Sequence, residues 1–218
     1  LLITISRTSI LTQANIAEFS DRVYKMLIVF MVFKVTFSLI MYVVNPDDFS
    51  DKSKIQVTDI DNSLADYTFV LINTGGSHAN LTDEYASIPK EMFEVAKAFG
   101  KERLIDISVE EFYSKLPDLK KGLSDRAVNR AIHFFNENKR VDCVENALKN
   151  NDYDCFLKCI KNSGISSFCK LQNCYVAGGC DQLIPTALFI AEEYLNGGAN
   201  RVHGGGFAGT ILNIVKND

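Results

Sequence analysis

The chain has 218 residues, 47% of them hydrophobic, which is enough apolar material for one well-buried core and excludes a disordered polypeptide. Its 23 Lys and Arg stand against 27 Asp and Glu, a net charge of −4 with no long basic run, so nucleic acid is excluded as a partner on electrostatic grounds.

The opening Leu1-Leu2-Ile3-Thr4 lacks an initiator Met and any secretory signal pattern, and reads as the start of a processed chain or a fragment. Residues 26–44 are almost wholly apolar, with Lys34 as the single charge. Their length suits a membrane span, but a lysine near the middle costs about 2.5–3.5 kcal/mol there. The β-branched and aromatic composition fits buried strands as well. Residues 45–66 turn polar, around Pro46 and a group of Asp and Ser, and form a linker or exposed hairpin.

From residue 67 the pattern is regular. Tyr67 to Ile72 predicts a strand, followed by the polar glycine turn Asn73 to His78. Ile88, Met92, Val95 and Phe99 recur at helical spacing until Gly100, which predicts a helix starting between Asp83 and Pro89. Ser108-Val109-Glu110-Glu111 is a capping box opening another helix. Ser124 is the N-cap candidate of a third, whose apolar face carries Val128, Ala131, Ile132 and Phe135; Val141, Val144 and Leu148 continue a helical stripe.

Six cysteines fall between 143 and 180. None forms a Cys-x-x-Cys pair, and Cys155 and Cys159 stand four apart on one helix face, so the expectation is small buried thiols in a reducing compartment and no metal site. Leu183, Ile184, Ala187, Leu188, Ala191 and Leu195 predict one long helix closed by Gly197 and Gly198. Two strands then flank Gly204-Gly205-Gly206-Phe207-Ala208-Gly209, where four glycines in six positions demand tight turning and close backbone approach. Such a loop suits converging amides around a phosphate, or a β-bulge or tight hairpin with nothing bound. Strand, helices, then a strand-loop-strand ending predict an α+β layer.

Four strings carry a resemblance. RVHGGGFAGTI (201–211) resembles the third glycine-rich motif of the GHMP kinases in its galactokinase form. NTGGSHANLTDEYASIP (73–89), DRAVNRAIHFFNEN (125–138) and SGISSFCKLQNCY (163–175) are similar to galactokinase segments in the same order, the last of them to a helix start. The resemblance covers residues 67–216. It implies a GHMP-kinase C-terminal domain over 67–218, with a ferredoxin-like core and helices packed on an antiparallel sheet. It also implies a cytoplasmic kinase that phosphorylates the anomeric hydroxyl of galactose with ATP and Mg²⁺.

Carried over by residue, Gly204, Gly205, Gly206, Phe207, Ala208 and Gly209 would shape the nucleotide cleft beside the phosphate loop of the other domain. Family members often have Gly where Ala208 stands. Tyr85 matches the tyrosine that contacts the sugar, a role suited to an aromatic face and a directional hydroxyl; on its residue type alone it reads as an amphipathic packing residue. His78, His133 and His203 match no catalytic position, and His133 is assigned to packing.

The resemblance also marks what is missing. Residues 14–24 resemble the helix that precedes the galactokinase catalytic loop, so 1–44 would be the end of the N-terminal kinase domain. A Gly-x-x-Asp-Gln string should follow, yet no Asp or Glu occurs between Asp21 and Asp47, so no catalytic residue and no metal ligand is assigned. Residues 25–44 are read as a locally shifted reading frame, testable in the coding DNA. On this reading the chain alone is inactive and lacks most of the N-terminal domain, with a non-catalytic kinase-like remnant or sugar-binding module as the alternative.

Overall fold

A computed structural model describes residues 2–5, 64, 66–77 and 79–217. The apolar run 26–44, the linker 45–63, the helix expected at 14–24 and His78 lie outside the described residues.

Four antiparallel strands form one sheet: β1 (Leu2–Ile5), β2 (Tyr67–Asn73), β3 (Ala199–Val202) and β4 (Thr210–Lys216), in the order β1-β2-β4-β3. β2 and β4 pair along their whole length, from Tyr67 opposite Lys216 to Asn73 opposite Thr210. Val202 stands opposite Ile211, which places the 203–209 loop at the same sheet end as the turn after Asn73.

Among the described residues, five α-helices accompany the sheet: α1 (Thr82–Ala98), α2 (Val109–Gly122), α3 (Asp125–Lys149), α4 (Tyr153–Ser166) and α5 (Leu183–Glu192). Their starts are chemically specified. The hydroxyl of Ser108 accepts from Glu111 N, that of Ser124 from Ala127 N, and the carboxylate of Asp152 from Cys155 N, each at 3.0–3.1 Å. Each such cap contributes about 1 kcal/mol. At the end of α1, Gly100 adopts φ +68°, as a helix-terminating glycine should.

Strand alternation divides the sheet into two faces. Phe69, Leu71, Leu212 and Ile214 face the α3–α4 hairpin and meet Leu148, Phe156, Leu157 and Ile160. Ile72, Val202 and Ile211 face the other way, toward Ile184 and Leu188 of α5. A further core lies away from the sheet, where Ile88, Met92 and Val95 of α1 and Phe112 of α2 pack on Ala131, Phe134 and Phe135 of α3. Burying each of these larger side chains stabilises the fold by about 1.5–3 kcal/mol. With 25 residues α3 is about 37 Å long, which lets one helix serve both cores.

The α+β architecture with helices on an antiparallel sheet agrees with the expectation from sequence. Three local readings need correction. α1 starts at Thr82 and carries Pro89 inside it. The 163–175 string is the end of a helix and not a start: α4 finishes at Ser166, and residues 167–171 make one widened turn closed by Gln172 N donating to Ser167 O at 2.8 Å. α5 ends at Glu192, short of Leu195, because Asn196 (φ +42°) and Gly197 (φ +91°) reverse the chain into β3. Gly198 then lies so close to β4 that a Cβ on it would be 2.1 Å from Ile214 O.

Candidate functional site

β3 delivers the chain to the glycine loop, and the backbone bond from His203 N to Thr210 O (2.9 Å) closes its base. Within it, Gly204, Gly206, Phe207 and Gly209 all take positive φ, between +57° and +95°. That run of left-handed backbone is why the segment is glycine-rich. Gly206 is needed for a second reason, since a Cβ there would be 2.0 Å from Asn173 O.

Three separate segments grip the loop. From α1, Tyr85 Oη donates to Gly206 O at 2.6 Å, and its ring meets Phe207 edge-on with centroids 5.2 Å apart. The same ring lies over Gly205, where a Cβ would come within 2.9 Å of it. After the widened turn, Asn173, 1% exposed, accepts from Phe207 N through its backbone O (2.5 Å) and donates from Nδ2 to Gly205 O (3.0 Å). Beyond β2, Thr74 donates to Gly209 O from both N and Oγ1, each at 2.8 Å. The Ala208 methyl packs over Gly76, where an added Cβ would be 3.2 Å away.

The clamp is itself supported by buried charge. Arg130 (1% exposed) donates from Nε to Leu171 O at 3.1 Å and from Nη1 to Ser87 Oγ at 2.9 Å, with Glu91 Oε2 3.0 Å from Nη1. Leu171 O is thereby held two residues before Asn173, with Gln172 between them in the left-handed region at φ +58°. Burial pushes the Arg130 guanidinium down, while Glu91 opposes that shift.

A second network anchors the strand leading into the loop. Arg201, buried under α4, donates to Ser163 Oγ (2.6 Å) and Val202 O (3.0 Å). Ser163 in turn donates to Glu137 Oε2 at 2.6 Å, and Arg140 pairs with the other oxygen of Glu137. α4 reaches this close only because Gly164 lacks a side chain; a Cβ there would be 2.9 Å from Asn200 O. His133 Nδ1 lies 2.9 Å from Ser166 Oγ in the same interior. Burial first, and the positive charge of Arg201 second, push this imidazole down to about 3.

The structure therefore brings Tyr85 against Gly205, Gly206 and Phe207 of the 204–209 loop. It also changes how the loop reads chemically. The amides of Phe207 and Ala208 are taken by Asn173 O and Gly206 O, so these two do not point at an external anion. Two of its six amides are thus committed within the protein. Asn173, Thr74, Arg130 and Arg201 were missed as site residues. All four lie within the quoted family-like strings, and that was the one signal able to point to them.

No family model matches the chain. It is 36% identical over 154 residues to the galactokinase of Haemophilus influenzae strain Rd, covering 70% of this chain and 38% of that protein. This chain carries a galactokinase-like C-terminal portion. The human galactokinase is 28% identical over 149 residues, 67% of this chain. Among solved structures, the crystal structure of Lactococcus lactis galactokinase complexed with galactose overlays with a TM-score of 0.62 at 21% identity, over 76% of this chain and 41% of that one, which shows the shared fold. The galactokinase-like chain thus spans 38% of the length of the Haemophilus influenzae relatives it matches. Among the described residues, no helix is long and apolar enough to cross a membrane.

Proposed function

We propose that this chain supplies the C-terminal wall of a galactokinase-type active site, in which ATP phosphorylates the anomeric hydroxyl of galactose. The observation that carries the reading is the clamp itself: Tyr85, matched by resemblance to a sugar-contacting tyrosine, is bonded directly to the glycine loop at Gly206. A tyrosine fixed this way is held in one orientation together with the loop, and preorganisation is what phosphoryl transfer mainly needs from a protein.

In this reading the ATP phosphates and Mg²⁺ fall chiefly to an upstream lobe, and the 204–209 loop shapes the cleft beside it. Residues 1–44 are proposed as the end of that lobe, apart from β1 (Leu2–Ile5), which pairs with β2 in the sheet described above, with 45–66 as the linker and 67–218 as the C-terminal domain. The partners are galactose and ATP, in the cytoplasm, and the chain alone does not turn over. A sugar-binding module without catalysis is the second reading, favoured by the stretch without Asp or Glu between Asp21 and Asp47.

The test is a graft. Residues 64–217 replace the matching segment of the Haemophilus influenzae enzyme, and galactose-dependent ADP release is measured. Turnover that falls with Tyr85→Ala, chiefly through a raised KM for galactose, supports the kinase reading. A folded graft that releases no ADP but still binds galactose by calorimetry favours the second, and a folded graft that does neither removes both.

A further inference from the structure

The α3–α4 hairpin gathers three thiols that neither the sheet nor the glycine loop uses. Cys143 projects from α3, and Cys155 and Cys159 from one face of α4 at the i, i+4 spacing. Cys159 donates to Cys143 Sγ at 3.1 Å, Cys143 and Cys155 are 3.6 Å apart, and all three sulfurs lie within 4.8 Å of one another. Sequence spacing exposed only the α4 pair. The turn at 150–152 supplies the third thiol by folding α3 back on α4.

Packing alone gives little reason for this convergence, since sulfur–sulfur hydrogen bonds are weak and an alanine or leucine would fill the same space with no polar atom to satisfy. A metal ion accounts for it. In a tetrahedral site with Zn–S bonds of about 2.3 Å, sulfurs stand about 3.8 Å apart, so shifts of a few tenths of an ångström to about 1 Å complete a three-sulfur cap. Cys155 lies in the first turn of α4, next to the Asp152 cap. The hairpin is held in advance by the Asp152 cap and by Asn151 at φ +54°. Cys143 and Cys155 are half-buried, which leaves a way in, while Cys159 closes the inner side.

We propose that Cys143, Cys155 and Cys159 form a three-thiolate site for a thiophilic d¹⁰ cation, Zn²⁺ in the cell, with one non-protein ligand completing the coordination. Among the described residues, no other His, Cys, Asp or Glu joins the cluster. A protein thiol, ordinarily protonated at neutral pH, must lose its proton to ligate a metal. Binding therefore forms three metal–sulfur bonds and releases three protons to solvent, with no change of oxidation state. The ion would staple α3 to α4 and so firm the face of the sheet that leads to the glycine loop. The site shares no residue with the Tyr85 clamp, so its failure leaves the kinase reading untouched.

The chain, reduced and freed of metal, is titrated with Cd²⁺ as a spectroscopic probe and then with Zn²⁺ in competition. The expected result is a thiolate-to-cadmium charge-transfer band saturating at one ion per chain, displaced by Zn²⁺, with a raised midpoint of thermal unfolding. Cys143→Ser and Cys159→Ala, checked for helix content by circular dichroism, should each weaken binding at least tenfold. The double variant Cys169→Ser/Cys180→Ser, at exposed cysteines, should bind as the parent does. Absence of the band at one equivalent, its persistence in a folded Cys143→Ser, or its loss in the exposed-cysteine variant would overturn the proposal. So would a Cys143–Cys159 disulfide that forms under air and leaves metal binding unchanged.

Discussion

Tyr85 and Gly206, separated by 121 residues, are joined by a 2.6 Å hydrogen bond from the phenol to the backbone carbonyl. The bond ties α1 to the turn between β3 and β4, and the edge-on packing of the same ring against Phe207 fixes the angle at which the two meet. Replacing Tyr85 by Phe keeps the ring and strands the Gly206 carbonyl. The expected loss is about 1–2 kcal/mol in urea unfolding. Tyr85→Ala should lose clearly more, because the ring contact with Phe207 goes as well. Equal losses in the two variants would show that the ring contributes nothing there.

Gly204 and Gly206 separate two reasons for a glycine. Both have positive φ, but nothing lies within 4 Å of a Cβ on Gly204, whereas a Cβ on Gly206 would strike Asn173 O. Gly204→Ala should cost about 1–2 kcal/mol from backbone conformation alone. Gly206→Ala should cost roughly 3 kcal/mol or more, because the Asn173 clamp must open as well. Urea titrations of the two variants decide the point.

Acid should weaken this fold through His133. Its folded-state value is pushed down to about 3 from an ordinary 6.5, so between those limits the unfolded chain holds a proton that the folded chain refuses. The stabilisation from keeping this residue neutral is fully present above pH 6.5 and is lost as pH falls toward 3. The slope from this one group is at most about 1.4 kcal/mol per pH unit. Urea midpoints measured from pH 7.5 down to 5 should therefore decline, and a folded His133→Gln variant should show a flatter profile.

Arg130 and Glu91 form an ion pair that also positions the clamp. With Arg130 1% exposed, Glu91→Gln leaves a buried guanidinium short of its counter-charge, an effect on the order of 3–5 kcal/mol when such a pair is broken. Arg126, bonded to Glu91 Oε1 at 2.9 Å through Nε, would lose its partner in the same variant. Arg130→Met removes the charge and frees Leu171 O. Amide exchange of Phe207, whose N–H is held by Asn173 O, should then accelerate more than that of Leu212 in β4.

Much of the framework was legible because its signals are local. Ser108 and Ser124 cap the helices they were expected to cap, and Gly100 ends α1 as its backbone freedom predicts. Errors arose where a neighbour overrode a local pattern. The apolar stripe through Leu195 continues past the end of α5, because burying Leu195 does not require helix once Gly197 reverses the chain and Gly198 must approach β4. The 163–175 string contains a helical run, but the widened turn at 167–171 ends it so that Asn173 can reach the loop.

The residue order of this protein carries its strands, its caps and the need for a glycine turn between β3 and β4, since each depends on side chains a few positions apart and on backbone conformations that only certain residues tolerate. Folding in three dimensions chose what meets that turn. Tyr85, Asn173 and Thr74 arrive from three elements, and Cys143 joins Cys155 and Cys159 only when α3 folds back on α4. Such meetings follow from burying the apolar faces of α3, α4 and the sheet against one another. They leave no periodic trace in the segments that take part.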